Sequence, residues 1–197
     1  MLSFQSRRPG RFQGAQSTIE FALAAPIFFF IFFSIINGGL LLFSRNAIQH
    51  AADVGAAEIA AQGNSGNADQ LAMQEMNGAG LNNAVLTKVT AITVQKEDQV
   101  GTASSQTLNP DTTGCGGSPC EMQYTYTGVT GAAPSGYTCT GTCTWPSTSR
   151  IVSQTVGLGG NPDFALVTVK YTFATIGHFS TFQLTATVVL RLEPQSL

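Results

Sequence analysis

The chain has 197 residues, a formal net charge of −2, 43% hydrophobic residues and 10% charged ones. That length suits one domain, or one domain with a membrane element. The charged fraction is less than half of the usual ~25%. Nine Lys and Arg against eleven Asp and Glu leave no concentrated basic face for a nucleic acid. Thirteen Phe argue against a purely solvated, disordered chain.

The charges are segregated. Residues 1–15 carry Arg7, Arg8 and Arg11 and no acid; Glu20 comes next, then nothing charged until Arg45. Residues 21–43 read FALAAPIFFFIFFSIINGGLLLF, with Ser34 and Asn37 as the clearly polar members. A helix of that length covers about 34 Å at 1.5 Å per residue, enough for a bilayer core of roughly 30 Å. The arginines before the span place the N-terminus in the cytoplasm and the rest outside. No small-x-small cleavage site follows the apolar core, so the span is expected to be retained.

Glu20 stands at the membrane-entry edge of this helix. One reading is a capping box, Ser17-x-x-Glu20, with Ser17 as N-cap. Pro26 and the pair Gly38-Gly39 are candidate kinks, or else surfaces for close helix packing. Past the span, Ile48, Ala52, Gly55 and Ile59 recur at helical spacing, with Asn46, His50, Asp53 and Ala57 elsewhere on the wheel. Gly63-Asn64-Ser65-Gly66 ends the pattern. One helix over about 16–62 is therefore expected, its second half outside the membrane.

The remainder, 63–197, reads as a small β-rich extracytoplasmic domain. Residues 69–76 fit a short helix. Residues 85–95, 121–127, 165–174 and 184–192 fit strands, the last two separated by Ile176-Gly177-His178 and expected to pair antiparallel. Residues 101–160 look like a Gly/Ser/Thr-rich insertion and contain Cys115, Cys120, Cys139 and Cys143. In an oxidising compartment an even count points to disulfides rather than zinc. Nested pairing and two local links both remain open.

Two histidines 128 positions apart, with no nucleophile elbow, phosphate loop or metal-binding helix motif, support no enzyme, metal or cofactor. The expected class is α+β: a long N-terminal transmembrane helix continuing outside the membrane, then an antiparallel sheet.

The arginines, GAQSTIEFALAAP, the aromatic span and FSRNAIQHAADVGAAEIAAQG together resemble the N-terminus of TadE-like proteins of tight-adherence pilus systems. The ending, VTVKYTF and then TATVVLRLEP, is similar to their C-terminal part. The resemblance implies a pilin-like minor subunit or pseudopilin, cut by a prepilin peptidase at Gly14-Ala15-Gln16. If Gln16 is mature residue one, Glu20 is the fifth and Phe21 follows it. Glu20 then meets the new α-ammonium of a neighbouring subunit and sets the assembly register. Implied partners are other pilins, the peptidase, an inner-membrane secretion platform and membrane lipid, with no nucleic acid. The alternative is a single-pass tether carrying a binding module that does not assemble.

Overall fold

The computed structural model describes residues 13–81, 84, 86–102, 105–125, 139–152, 163–176 and 180–192. The chain divides into two compact units, residues 1–40 and 41–197. A single helix, α1 (Gln13–Gln62), runs through the boundary. Within the first unit its apolar side chains lie open: Phe21 is 71% exposed and Phe30 73%. The expected leader arginines lie outside the described residues.

In the second unit the helix changes character. Ile48, Ala51, Ala52, Ala56 and Ile59 are buried, as is Gly55, while Asn46, His50, Asp53 and Ala57 are exposed. This is the stripe that the helical spacing predicts. Gly63 ends α1 in the left-handed region (φ 55°), its N–H donating to the Ile59 carbonyl at 3.0 Å. A second helix, α2 (Ala68–Gly78), follows and buries Ala72, Met73 and Met76.

Among the described residues six strands form one antiparallel sheet: β1 (Thr87–Thr102), β2 (Ser105–Pro110), β3 (Glu121–Thr125), β4 (Cys139–Cys143), β5 (Phe164–Ala174) and β6 (Thr181–Arg191). The order is β4-β3-β1-β5-β6, and β2 pairs with the far end of β1. The β5–β6 ladder is antiparallel throughout, from Phe164↔Arg191 to Ala174↔Thr181. Gly177 and His178 lie outside the described residues. Ala165, Val167, Val169, Tyr171 and Phe173 alternate on one face of β5, opposite Ile92, Val94, Ala186 and their neighbours. With the alanines and isoleucines of α1 and the methionines of α2 they form the core.

Two boundaries differ from the sequence expectation. β1 continues through Lys96-Glu97-Asp98 to Thr102, because β2 folds back on it from Glu97↔Pro110 to Thr102↔Ser105. Within 101–160 the described residues hold the end of β1, strands β2, β3 and β4 of the same sheet, the loop 111–120 and a 3-10 turn (Ser147–Ser149).

Gly55 is where α1 meets α2. A Cβ there would overlap Cγ and Cε of Met76, which is fully buried. We predict that Gly55→Leu costs about 1–3 kcal/mol through overpacking. Denaturant unfolding of the detergent-solubilised protein checks it; an unchanged midpoint would mean that α2 yields freely.

The apolar helix and the buried charged nodes

The first candidate site is the exposed half of α1. Residues Thr18–Gln62 form a helix long and apolar enough to cross a membrane. Phe28 stacks on Phe32 with ring centroids 6.2 Å apart, and Phe29 on Phe33 at 6.4 Å. These i, i+4 pairs give the rod two aromatic ridges. Ser34 and Asn37 satisfy their polar groups within the helix. Ser34 Oγ donates to the Phe30 carbonyl at 2.7 Å, and Asn37 Nδ2 to the Phe33 carbonyl at 3.0 Å. Each thus makes one of its hydrogen bonds inside the helix, which lowers the cost of placing it in hydrocarbon.

The sequence-derived residues fall along this rod. Gly14, Ala15 and Gln16 lie in its first turns, since α1 begins at Gln13. Ser17 is thus inside the helix rather than at its N-cap. Glu20 and Phe21 are exposed at the start of the apolar run. Pro26 is accommodated within a helix that continues past it. Among the described residues, nothing lies within 4 Å of a Cβ placed on Gly38 or Gly39.

The cysteines form two local disulfides, Cys115–Cys120 and Cys139–Cys143, with Cα separations of 5.4 and 6.0 Å. The ladder explains why nested pairing fails. Met122 opposes Cys143 and Tyr124 opposes Cys139, so Cys120 lies beyond the Cys143 end. Reaching Cys139 from there means crossing about four strand residues, roughly 13 Å, well beyond disulfide reach. Gly114 leads into the first ring and Gly116 and Gly117 turn within it, all three at positive φ. Among the described residues no cluster of His, Cys, Asp and Glu is suited to a metal.

Two buried charged nodes were not foreseen from the sequence. In one, Arg150 Nη2 reaches Asp69 of α2 at 2.6 and 2.8 Å, Tyr124 donates its hydroxyl to Asp69 at 2.6 Å, and the guanidinium lies 4.7 Å from the Trp145 ring centre. Burial, then the Asp69 carboxylate, pushes the Tyr124 hydroxyl far up, so it remains a donor. In the other, Lys96 on β1 contacts Asp111 at 2.5 Å and Asp163 at 3.4 Å. Burial opposes the Lys96 charge, but both carboxylates together leave it above its ordinary value. Asp111 is held below its ordinary value: burial pulls it up, and Lys96 and the Thr113 N–H outweigh that. Asp163 is raised, chiefly by burial. Their partners lie 15 to 81 positions away in sequence, and that distance conceals them from pattern reading.

Residues 15–57 match the sequence model of the TadE-like protein family. The chain carries a TadE-like domain. The matched segment is α1 from its first turns to the middle of its buried stripe, including Glu20 and the whole aromatic run. No curated protein and no solved structure matches the chain. The TadE-like domain suggests involvement in tight-adherence pilus systems and interaction with other pilus components. Its apolar helix is consistent with a single-pass anchor there.

Two predictions follow from the charges. Asp69→Ala strands the buried Arg150 cation and should cost about 3–5 kcal/mol, read from the unfolding midpoint. Glu97 is buried and its carboxyl is raised above 4.5 by desolvation. A raised carboxyl contributes stability at low pH that is lost as pH climbs through the folded value. Glu97→Gln should therefore unfold later than wild type at neutral pH, with the gap closing below pH 4.5. A gap constant with pH would refute the desolvation cause.

Proposed function

We propose that this protein is a minor pilin or pseudopilin-type subunit of a tight-adherence pilus, structural rather than enzymatic. The observation that carries the reading is the coincidence of the family match with the exposed aromatic half of α1, headed by Glu20. Each exposed Phe moved from water into lipid or a helix bundle gains about 1.5–3 kcal/mol, so this surface demands one of those environments. Before assembly the helix spans the inner membrane with its N-terminus inside and its C-terminal domain outside. During assembly it exchanges lipid for neighbouring helices.

In this reading a prepilin peptidase cuts between Ala15 and Gln16, leaving Gln16 as the mature end of α1. The new α-ammonium and Glu20 are then one helical turn apart on each chain. Between staggered subunits, Glu20 of one meets the ammonium of the next, and the low dielectric strengthens that pair. Phe21 and the aromatic ridges supply apolar contact, and Pro26 with Gly38-Gly39 lets the rod bend between membrane and filament. The domain of residues 63–197 is carried outside, with other pilins and the membrane platform as partners.

Glu20→Ala is expected to leave membrane insertion intact while incorporation into pili falls by at least tenfold, scored by immunoblot of membrane and sheared-pilus fractions. N-terminal sequencing of the membrane form is expected to begin at Gln16. An intact Met1 together with unchanged incorporation of the variant would instead favour a simple tether.

A further inference from the structure

The Lys96 node has features that an ion pair does not require. We propose that Lys96 and Asp111 condense into an intramolecular amide between Nζ and Cγ, with Asp163 as the acid–base group. The two side chains are held as a fixed pair. They follow directly on the Glu97↔Pro110 pair of the β1–β2 ladder, and the Asp111 N–H donates to the Lys96 carbonyl at 3.0 Å. The Lys96 N–H donates in turn to Cys120 O at 2.8 Å, and the Cys120 N–H to Asp111 O at 2.8 Å. The disulfide ring is thereby fastened across the same junction.

The oxygen atoms are differentiated. Asp111 Oδ1 accepts the Thr113 N–H at 2.7 Å, while Oδ2 faces the amine at 2.5 Å. A backbone donor on Oδ1 is placed to hold the negative charge that forms on that oxygen as nitrogen attacks Cγ. Asp163 is oriented as well: Oδ2 accepts the Ile151 N–H at 2.8 Å, which leaves Oδ1 towards Nζ at 3.4 Å. Side-chain exposure of the two carboxyls is 4% and 6%. A carboxyl whose proton is favoured by burial is suited to pass protons at this spot.

The step balances without any co-reactant. Asp163 passes its proton to Oδ2 of Asp111 and takes one from the ammonium, and the freed amine attacks Cγ of the now neutral carboxyl. A second nitrogen proton is relayed through Asp163 to Oδ2, which leaves as water while Asp163 ends protonated as it began. Ammonium plus carboxylate become amide plus water, and no oxidation state changes. Burial favours the product, since two charges that are costly to desolvate vanish and the water departs to bulk. Holding the groups in contact supplies the proximity that a bimolecular condensation lacks. The result is a covalent clamp at the base of the β1–β2 hairpin, beside the first disulfide.

Peptide-level mass spectrometry of the full chain, reduced and alkylated, tests this independently of the pilus reading. With the amide present, trypsin fails to cut after Lys96 and yields one peptide of residues 89–150, lighter by one water. Glutamyl endopeptidase should then release a branched product joining 89–97 to 98–121. Lys96→Arg, which keeps a cation at the node, should abolish the link. Asp163→Asn should reduce it by tenfold or more in protein whose circular dichroism matches wild type. Recovery of residues 89–96 and 97–150 with all their water overturns the proposal, and full linkage in Asp163→Asn overturns the role given to Asp163.

Discussion

Among the described residues nothing buries the apolar surface of α1 between Thr18 and Phe43, and this sets the terms for everything else. A soluble domain does not expose a run such as FFFIFF, because each ring carries 1.5–3 kcal/mol of unrealised burial, by the ~25 cal/mol per Å² rule. The same helix, past Leu41, turns to alanine at its buried positions. Small side chains there let a β-sheet approach closely, whereas phenylalanines would hold it off. One continuous helix therefore serves two solvents by changing side-chain size and exposure rather than by changing backbone. Ser34 and Asn37 conform to the same logic, since their polar groups are spent on the helix's own carbonyls.

In the folded unit the scarcity of charge becomes meaningful. With few ionisable residues in the chain, most would be expected at the surface, yet Asp69, Glu97, Asp111, Arg150 and Asp163 are buried. Two groups of these join segments far apart in the sequence. Arg150 fastens the turn after β4 to α2 and β3, and Lys96 fastens the loop after β2 and the start of β5 to the middle of β1. The Gly- and Thr-rich stretch between β1 and β5 offers few large side chains for a core. Its attachment is accordingly polar, directional and sensitive to the loss of one partner.

Much of the architecture was legible because it rests on short-range periodicity. The apolar run, the Ile48–Ala52–Gly55–Ile59 stripe and the alternation in ALVTVKYTFA each express a local repeat that the fold obeys. What stayed hidden depends on partners far away. Lys96-Glu97-Asp98 looks like a strand terminator, and only the return of β2 and the carboxylates of Asp111 and Asp163 make it strand interior. The disulfide choice was similarly illegible, for it follows from the β3–β4 register rather than from cysteine spacing. From Ala15 onward, GAQSTIEFAL falls in the segment that matches the TadE-like model, so the family resemblance was legible in the sequence alone.

The two local disulfides fit this division of labour. Each closes a ring of only a few residues, so each removes little entropy from the unfolded chain. Their effect is better sought in the native geometry. The first ring contains two glycines at positive φ, Gly116 and Gly117, a conformation that a free loop would leave often, and it sits beside the Lys96–Asp111 junction. The second lies within β4, an edge strand whose register shifts between Met122 and Tyr124. Between the two paired positions three residues of β4 stand against one of β3, Gln123, and the link between Cys139 and Cys143 spans that bulge. Bulged, cinched edges are poor templates for adding another strand. Among the described strands, the sheet thus has one edge shaped against the addition of another strand.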